Sequence, residues 1–245
     1  MTKGPYDLSG MRILLTGAAG GIGAATARLC AQLGAEMVLT DVKVDEALLE
    51  ELRRDGRRHT FESCDVRDRA AVEALCQRSF PLDALILNAG VFPQEDWFAD
   101  DWHEQFQRCM DVNVVGPVNF VRAALPHMKE RGAGRVVLLG SVAARTGGTH
   151  ASSPMHYAAS KGAMHSFVRW LARRAAPEVL VNAVAPGSTQ TAMIAAFDPS
   201  TMKAMPVPRF GLPEEIAWPI AFLCSPGASY ICGAILDVNG GTFMS

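Results

Sequence analysis

The eight residues Thr16-Gly17-Ala18-Ala19-Gly20-Gly21-Ile22-Gly23 constrain this chain more than any other stretch. An apolar run from Met11 to Leu15 leads in, and an alanine-rich segment from Ala24 to Leu33 leads away. That order predicts strand, tight turn and helix. Four glycines in eight residues suit a backbone that turns sharply or is closely approached, because glycine lacks the Cβ that blocks both. A helix starting at such a turn aims unpaired N–H groups and the positive end of its dipole at one point, which suits a pyrophosphate. A glycine-rich connection without chemical consequence is the alternative, and the rest of the chain decides between them.

Apolar runs and helical patterns alternate to the end of the chain. Strands are expected from Glu36 to Thr40, near His59 to Ser63, from Ala84 to Leu87, from Arg135 to Leu139, from Val179 to Ala185 and from Ala234 to Val238. Asp68 reads as the cap of a helix over Arg69 to Ser79, and the stretch from Asp100 to Arg131 is long enough for two helices divided near Asp111 to Gly116. Ser153-Pro154 reads as an N-cap followed by proline at the first helical position, Pro177 as the end of that helix, and Pro213 as the start of the last one. Short apolar strands that do not alternate, separated by helices, imply a parallel sheet covered on both faces. The expectation is a single α/β domain over residues 1–245, doubly wound and Rossmann-type, with seven parallel strands. Ligands bind beyond the carboxyl ends of such strands. Gly17, Asp41, Asp65, Asn88, Ser141 and Pro186 all directly follow one.

Bulk properties exclude several classes. A net charge of −2 without a concentrated basic run gives no general attraction for nucleic acid or an anionic membrane. No segment has the length and apolarity to span a bilayer, and Met1 to Gly10 lacks a signal-peptide core. Six scattered cysteines without a C-x-x-C pair read as reduced, mostly buried thiols of a cytoplasmic protein. The six histidines lack partners at metal spacing, so no metal site is expected. His150 and His156 lie close in sequence to Ser141 and Tyr157 and could touch substrate; a surface role and a packing role are their plain alternatives.

Asp41 stands eighteen residues after Gly23, at the end of the second strand. A carboxylate there accepts hydrogen bonds from an adenosine ribose and repels a 2′-phosphate, which points to NAD rather than NADP. Asp65 and the backbone of Val66 could meet the adenine. Tyr157 and Lys161, four apart on an expected helix, share one face, and Ser141 ends the strand before it.

With these residues assembled, the chain resembles a classical short-chain dehydrogenase/reductase over nearly its whole length. The T-G-x-x-x-G-x-G turn is Thr16 to Gly23, the N-A-G segment is Asn88 to Gly90, and the Y-x-x-x-K pair is Tyr157 with Lys161. Ser141 stands as the serine ahead of that pair, Asn113 as the family's asparagine, and Pro186-Gly187 with Thr191 as its P-G turn and threonine. The resemblance implies Tyr157 as general acid/base, Ser141 as orienter of the substrate oxygen, Lys161 on the nicotinamide ribose, and Asn113 as anchor of a water leading from Lys161 to solvent. It implies Gly17, Gly21, Ile22 and Gly23 along the pyrophosphate and Asn88, Ala89 and Gly90 along the adenosine ribose. Pro186 and Gly187 form the turn, and Thr191 with the backbone of Thr189 reaches the carboxamide. Lys161 and an oxidised nicotinamide are expected to lower the Tyr157 phenol from its usual value of about 10. A homotetramer, or a homodimer, is implied as well, with the Tyr157 helix and the last strand at interfaces.

Two departures stand out: Thr189 replaces the usual Ile or Val, and Cys232 replaces a Thr. The lid over residues 188–210 is short and rich in Met and Pro, either an adaptable apolar cover or core packing. The leading reading is an NAD(H)-dependent oxidoreductase on a secondary alcohol or ketone of small size. The alternatives are a 3-oxoacyl-thioester (acyl-carrier-protein) reductase and a non-catalytic dinucleotide sensor.

Overall fold

In the computed structural model, which describes residues 4–93, 98–148, 153–195 and 197–244, all seven strands lie in one parallel sheet. They are β1 (Arg12–Thr16), β2 (Glu36–Asp41), β3 (Thr60–Ser63), β4 (Ala84–Leu87), β5 (Gly134–Leu139), β6 (Val179–Pro186) and β7 (Ile235–Val238), in the order β3-β2-β1-β4-β5-β6-β7. The order reverses between β1 and β4, and the chemistry-bearing turns after β1, β4 and β5 therefore open onto one crevice. The apolar runs are unalternated because both faces are covered. One core cluster packs Leu15, Leu39, Ile86 and Val184 against α1 (Gly21–Gln32) and α8 (Pro213–Cys224). The other packs Leu14, Leu85, Leu138 and Val181 against α3 (Arg69–Ser79), α5 (Gly116–Glu130) and α7 (Met155–Ala175).

Local signals set most boundaries. Asp45 caps α2 (Glu46–Arg53) through the Leu48 N–H, and Asp68 caps α3 through the Ala71 N–H. The carboxylate of Glu215 returns to the Leu212 N–H at 2.8 Å, fixing the start of α8. Two expectations are corrected. Pro154, with extended backbone, occupies the N-cap position of α7, so Ser153 lies one residue outside it. The expected division between α4 (Trp102–Met110) and α5 is a π turn over Asp111–Val115 that keeps the two helices joined. Pro117 explains its place. Proline has no N–H to give the carbonyl of Asn113 one turn back, and Gly116 bonds five residues back, to the Asp111 carbonyl, instead. A short helix, α6 (Ala143–Thr146), follows β5. Among the described residues no helix is long and apolar enough to cross a membrane.

Candidate active site

A cleft of about 550 Å³ lies along the carboxyl edge of the sheet. At one end is the glycine turn. Gly17 and Gly21 have φ of +67° and +51°, and a Cβ on Gly17 would come within 2.7 Å of Ala89 Cα. The turn is clamped to β4. Thr16 Oγ1 accepts from the N–H groups of Asn88 and Ala89, both at 3.1 Å, while Asn88 Nδ2 donates to the carbonyls of Thr16 (3.1 Å) and Gly17 (2.8 Å). Helix α1 has Gly20 at its N-cap, with no side-chain cap and no acidic residue in its first turn, whereas α2 and α3 each carry an aspartate cap. That end has donors and a positive dipole with no protein anion answering them. A dinucleotide's pyrophosphate fits these residues.

Gly17, Gly21 and Ile22 line the cleft; Gly23 does not. Its Cβ would overlap the carbonyl of Gly17, so its glycine is required for packing of the helix on the turn rather than for contact with a ligand.

At the end of β2, Asp41 Oδ2 accepts from the Ala19 N–H at 3.0 Å and Oδ1 from the Val42 N–H at 2.7 Å. Further lone pairs remain on both oxygens. Asp65 and Val66 line the cleft beyond it, with the Asp65 carboxylate held by Arg67 in a two-pronged pair whose shortest contact is 2.6 Å. The guanidinium of Arg67 lowers the Asp65 carboxyl below its ordinary value.

Ser141, Tyr157 and Lys161 meet at the centre of the cleft. Ser141 stands close enough to Tyr157 for its hydroxyl to favour the phenolate, and Ser141 Oγ accepts from the Ala143 N–H at 3.1 Å. One helical turn on, Lys161 Nζ stands 5.7 Å from the centroid of the Tyr157 ring and donates to the Leu139 carbonyl at 2.8 Å. Burial raises the Tyr157 phenol, and the Ser141 hydroxyl only partly opposes it. Burial also pushes the Lys161 ammonium down to about 8.

Asn113 lies behind the wall of the cleft, not on it. Its Oδ1 accepts from the Val91 N–H at 2.8 Å, and its Nδ2 donates to the Val91 carbonyl and to Ser160 Oγ, each at 3.0 Å, and to Cys109 Sγ at 3.3 Å. Ser160 in turn donates to the Tyr157 carbonyl at 2.7 Å. Sequence reasoning missed Ser160 and Cys109, although each is spaced to face a residue it did find: Ser160 is three after Tyr157, and Cys109 is four before Asn113.

Asn88, Ala89, Gly90, Pro186, Gly187, Thr189 and Thr191 also line the cleft. Thr189 Oγ1 donates to the Gly187 carbonyl at 3.0 Å, a bond that Ile or Val could not make. A Cβ on Gly21 would lie 2.9 Å from Thr191 Cγ2, so the glycine turn and the P-G segment touch across the cleft. The lid divides: Met193 faces the cleft, whereas Met202 is buried packing. His156 is buried on α7 away from the cleft, and His150 lies outside the described residues. Arg67, Phe92, Arg108, Ile194 and Phe197 line the cleft without having been singled out.

The family model described as Enoyl-(Acyl carrier protein) reductase matches residues 17–242. The chain is 36% identical to the cis-4-hydroxycyclohexanecarboxylate dehydrogenase of Sinomonas cyclohexanicum, over 93% of this chain and 94% of that protein. The structure of a 3-oxoacyl-[acyl-carrier protein] reductase with bound NAD from Brucella melitensis is similar, with TM-score 0.87 and 31% identity over 98% of this chain and 94% of that one. A blue fluorescent protein from a metagenomic library, in complex with NADPH, matches with TM-score 0.88 and 30% identity, over 97% and 100% of the two chains.

Proposed function

The chain belongs to the classical short-chain dehydrogenase/reductase family, and on that premise we propose that it is an NAD(H)-dependent oxidoreductase interconverting a secondary alcohol and a ketone. The observation that carries this is the convergence of Ser141, Tyr157 and, one turn on, Lys161 in the same cleft as the uncapped α1 and Asp41.

A bound nicotinamide dinucleotide supplies the hydride acceptor or donor. The N–H groups at Gly21 and Ile22 hold its pyrophosphate, Asn88 to Gly90 pass its adenosine ribose, Val66 meets the adenine, and Thr189 and Thr191 reach the carboxamide. Asp41 accepts from the ribose hydroxyls and repels a 2′-phosphate, which favours NAD. Tyr157 gives its phenolic proton to the substrate oxygen during reduction and takes it back during oxidation, with Ser141 donating to the same oxygen. Lys161, a cation below about pH 8, attracts charge developing on the phenol oxygen and passes protons onward. Asn113, whose carbonyl receives no N–H from Pro117, anchors a water on that path.

Likeness to the Sinomonas dehydrogenase supports a cyclic alcohol, and likeness to the Brucella reductase supports a second reading, 3-oxoacyl-thioester reduction. Exposed Met155 and Trp170 on α7 support a homotetramer using that helix, which light scattering would test. The deciding assay follows NADH absorbance with NAD and a panel of secondary alcohols, then the reverse with ketones and 3-oxoacyl thioesters. Tyr157→Phe should lower kcat by about 10²–10⁴-fold. If wild type gives no NADH absorbance with any alcohol and Tyr157→Phe changes nothing, the enzyme reading fails and a dinucleotide sensor takes its place.

A further inference from the structure

The Phe92 ring stands edge-on to Tyr157, with centroids 4.7 Å apart and planes at 71°. Phe197, from the lid, meets Phe92 in the same manner at 6.1 Å and 66°. Both rings line the cleft beside Ser141 and Tyr157, and Met193 and Ile194 face it from the lid. The backbone that presents Phe92 is fixed one residue earlier, where the N–H and carbonyl of Val91 are both bonded to Asn113. The aromatic corner is therefore preformed, and it abuts the hydroxyls that receive the reacting oxygen.

We propose that Phe92 is a specificity-determining residue, and that its corner with Phe197 selects a secondary alcohol or ketone whose reacting carbon lies within an apolar ring. The inference rests on the function proposed above and deepens it. With the oxygen at Ser141 and Tyr157, the carbons next to the reacting centre lie against Phe92. A closed ring presents its carbon surface to this corner at once, with no bonds left to freeze. An open chain of equal carbon number must give up several rotors to make the same contact. The Met193 thioether adapts to ring substituents on the far side.

Cyclohexanol and 2-hexanol, matched in carbon number, test this with the intact chain and saturating NAD. Wild type should show kcat/KM at least about tenfold higher for cyclohexanol, the scale of a methylene-sized fit in an apolar pocket. Phe92→Ala should bring the ratio toward unity while NADH binding, read by fluorescence, is kept. The ratio cancels any common loss from a loosened Tyr157. Phe92→Leu, which keeps bulk without a flat face, should give an intermediate ratio and carries the test if the alanine variant does not fold. A wild-type ratio at or below one, or a ratio unchanged in the folded variants, overturns the role of Phe92 alone. Oxidation of neither alcohol, or of any other secondary alcohol, overturns the underlying reading as well.

Discussion

Asn113 and Val91 exchange two hydrogen bonds, N–H to Oδ1 at 2.8 Å and Nδ2–H to carbonyl at 3.0 Å, so one side chain answers both polar groups of one residue. The same amide reaches Ser160 at 3.0 Å, tying the N-A-G segment to the helix that carries Tyr157 and Lys161. Asn113→Leu keeps the bulk but strands these partners in a buried place. The expected cost is about 1–3 kcal/mol of stability with a loss of activity, measured by urea unfolding and turnover. Unchanged stability would mean that water replaces the amide.

Pro117 makes a separate prediction for the same asparagine. Pro117→Ala supplies the N–H that the Asn113 carbonyl lacks one turn on, and so favours an ordinary α turn over the π turn at Asp111–Val115. The variant should be more stable than wild type yet slower, because the carbonyl is then occupied. Equal or faster turnover in a stabilised protein would separate the π turn from catalysis.

Lys161 is held uncomfortably. Its ammonium is buried and its value is pushed down to about 8, against about 10.4 for a free lysine. Below pH 8 the side chain is protonated whether the chain is folded or not, and the fold carries the full desolvation cost. Between about 8 and about 10.4 the unfolded chain binds the extra proton, so this residue's contribution to stability improves as pH rises. Lys161→Met removes the cost but leaves the Leu139 carbonyl without its donor. A net gain of about 1–2 kcal/mol near neutrality is expected, with turnover abolished and a flatter stability profile above pH 8. Thermal melts at several pH values of both proteins decide it.

These contrasts show what the chain announces locally and what it does not. Asp68 was legible as a cap because a cap is made within one turn of its own residue. The assignment of Ser153 slipped by one because the fixed φ of Pro154 suits an extended N-cap as well as a first helical residue. That Gly23 packs on the Gly17 carbonyl was hidden, because spacing does not distinguish backbone approached by a phosphate from backbone approached by another carbonyl. The upward shift of Tyr157 arises from burial by elements distant in sequence, and the aromatic corner joins Phe92 to Phe197 across more than a hundred residues. No window of sequence contains either.

Asp41 ties cofactor choice to the shape of the glycine turn, since Oδ2 holds the Ala19 N–H at 3.0 Å. Asp41→Ala removes the charge that opposes a 2′-phosphate. The ratio of kcat/KM for NADP over NAD should rise by about tenfold or more, a differential of about 1.4 kcal/mol. Part of the change should come from weaker NAD binding, because the Ala19 N–H loses its acceptor. Asp41→Asn keeps an acceptor and should recover that part. A wild-type protein that prefers NADPH would overturn the assignment outright.

His165, four residues after Lys161 on α7, supplies the acid limb of stability. It is buried, and burial together with the charges of Arg145, Arg169 and Lys161 pushes its imidazole down to about 4. The ring packs so closely on Gly140 that a Cβ there would overlap Nε2. The folded-state value lies below the usual value of about 6.5, so the neutral ring's contribution is present above 6.5 and is lost as pH falls toward 4. Between about pH 7 and about pH 5 the unfolded chain gains a proton that the folded chain refuses, which removes about 2 kcal/mol of stability. His165→Leu cannot titrate and should lose that much less over the same interval in urea unfolding. Equal losses in the two proteins would show that His165 takes up its proton in the folded state and that other groups set the acid limb.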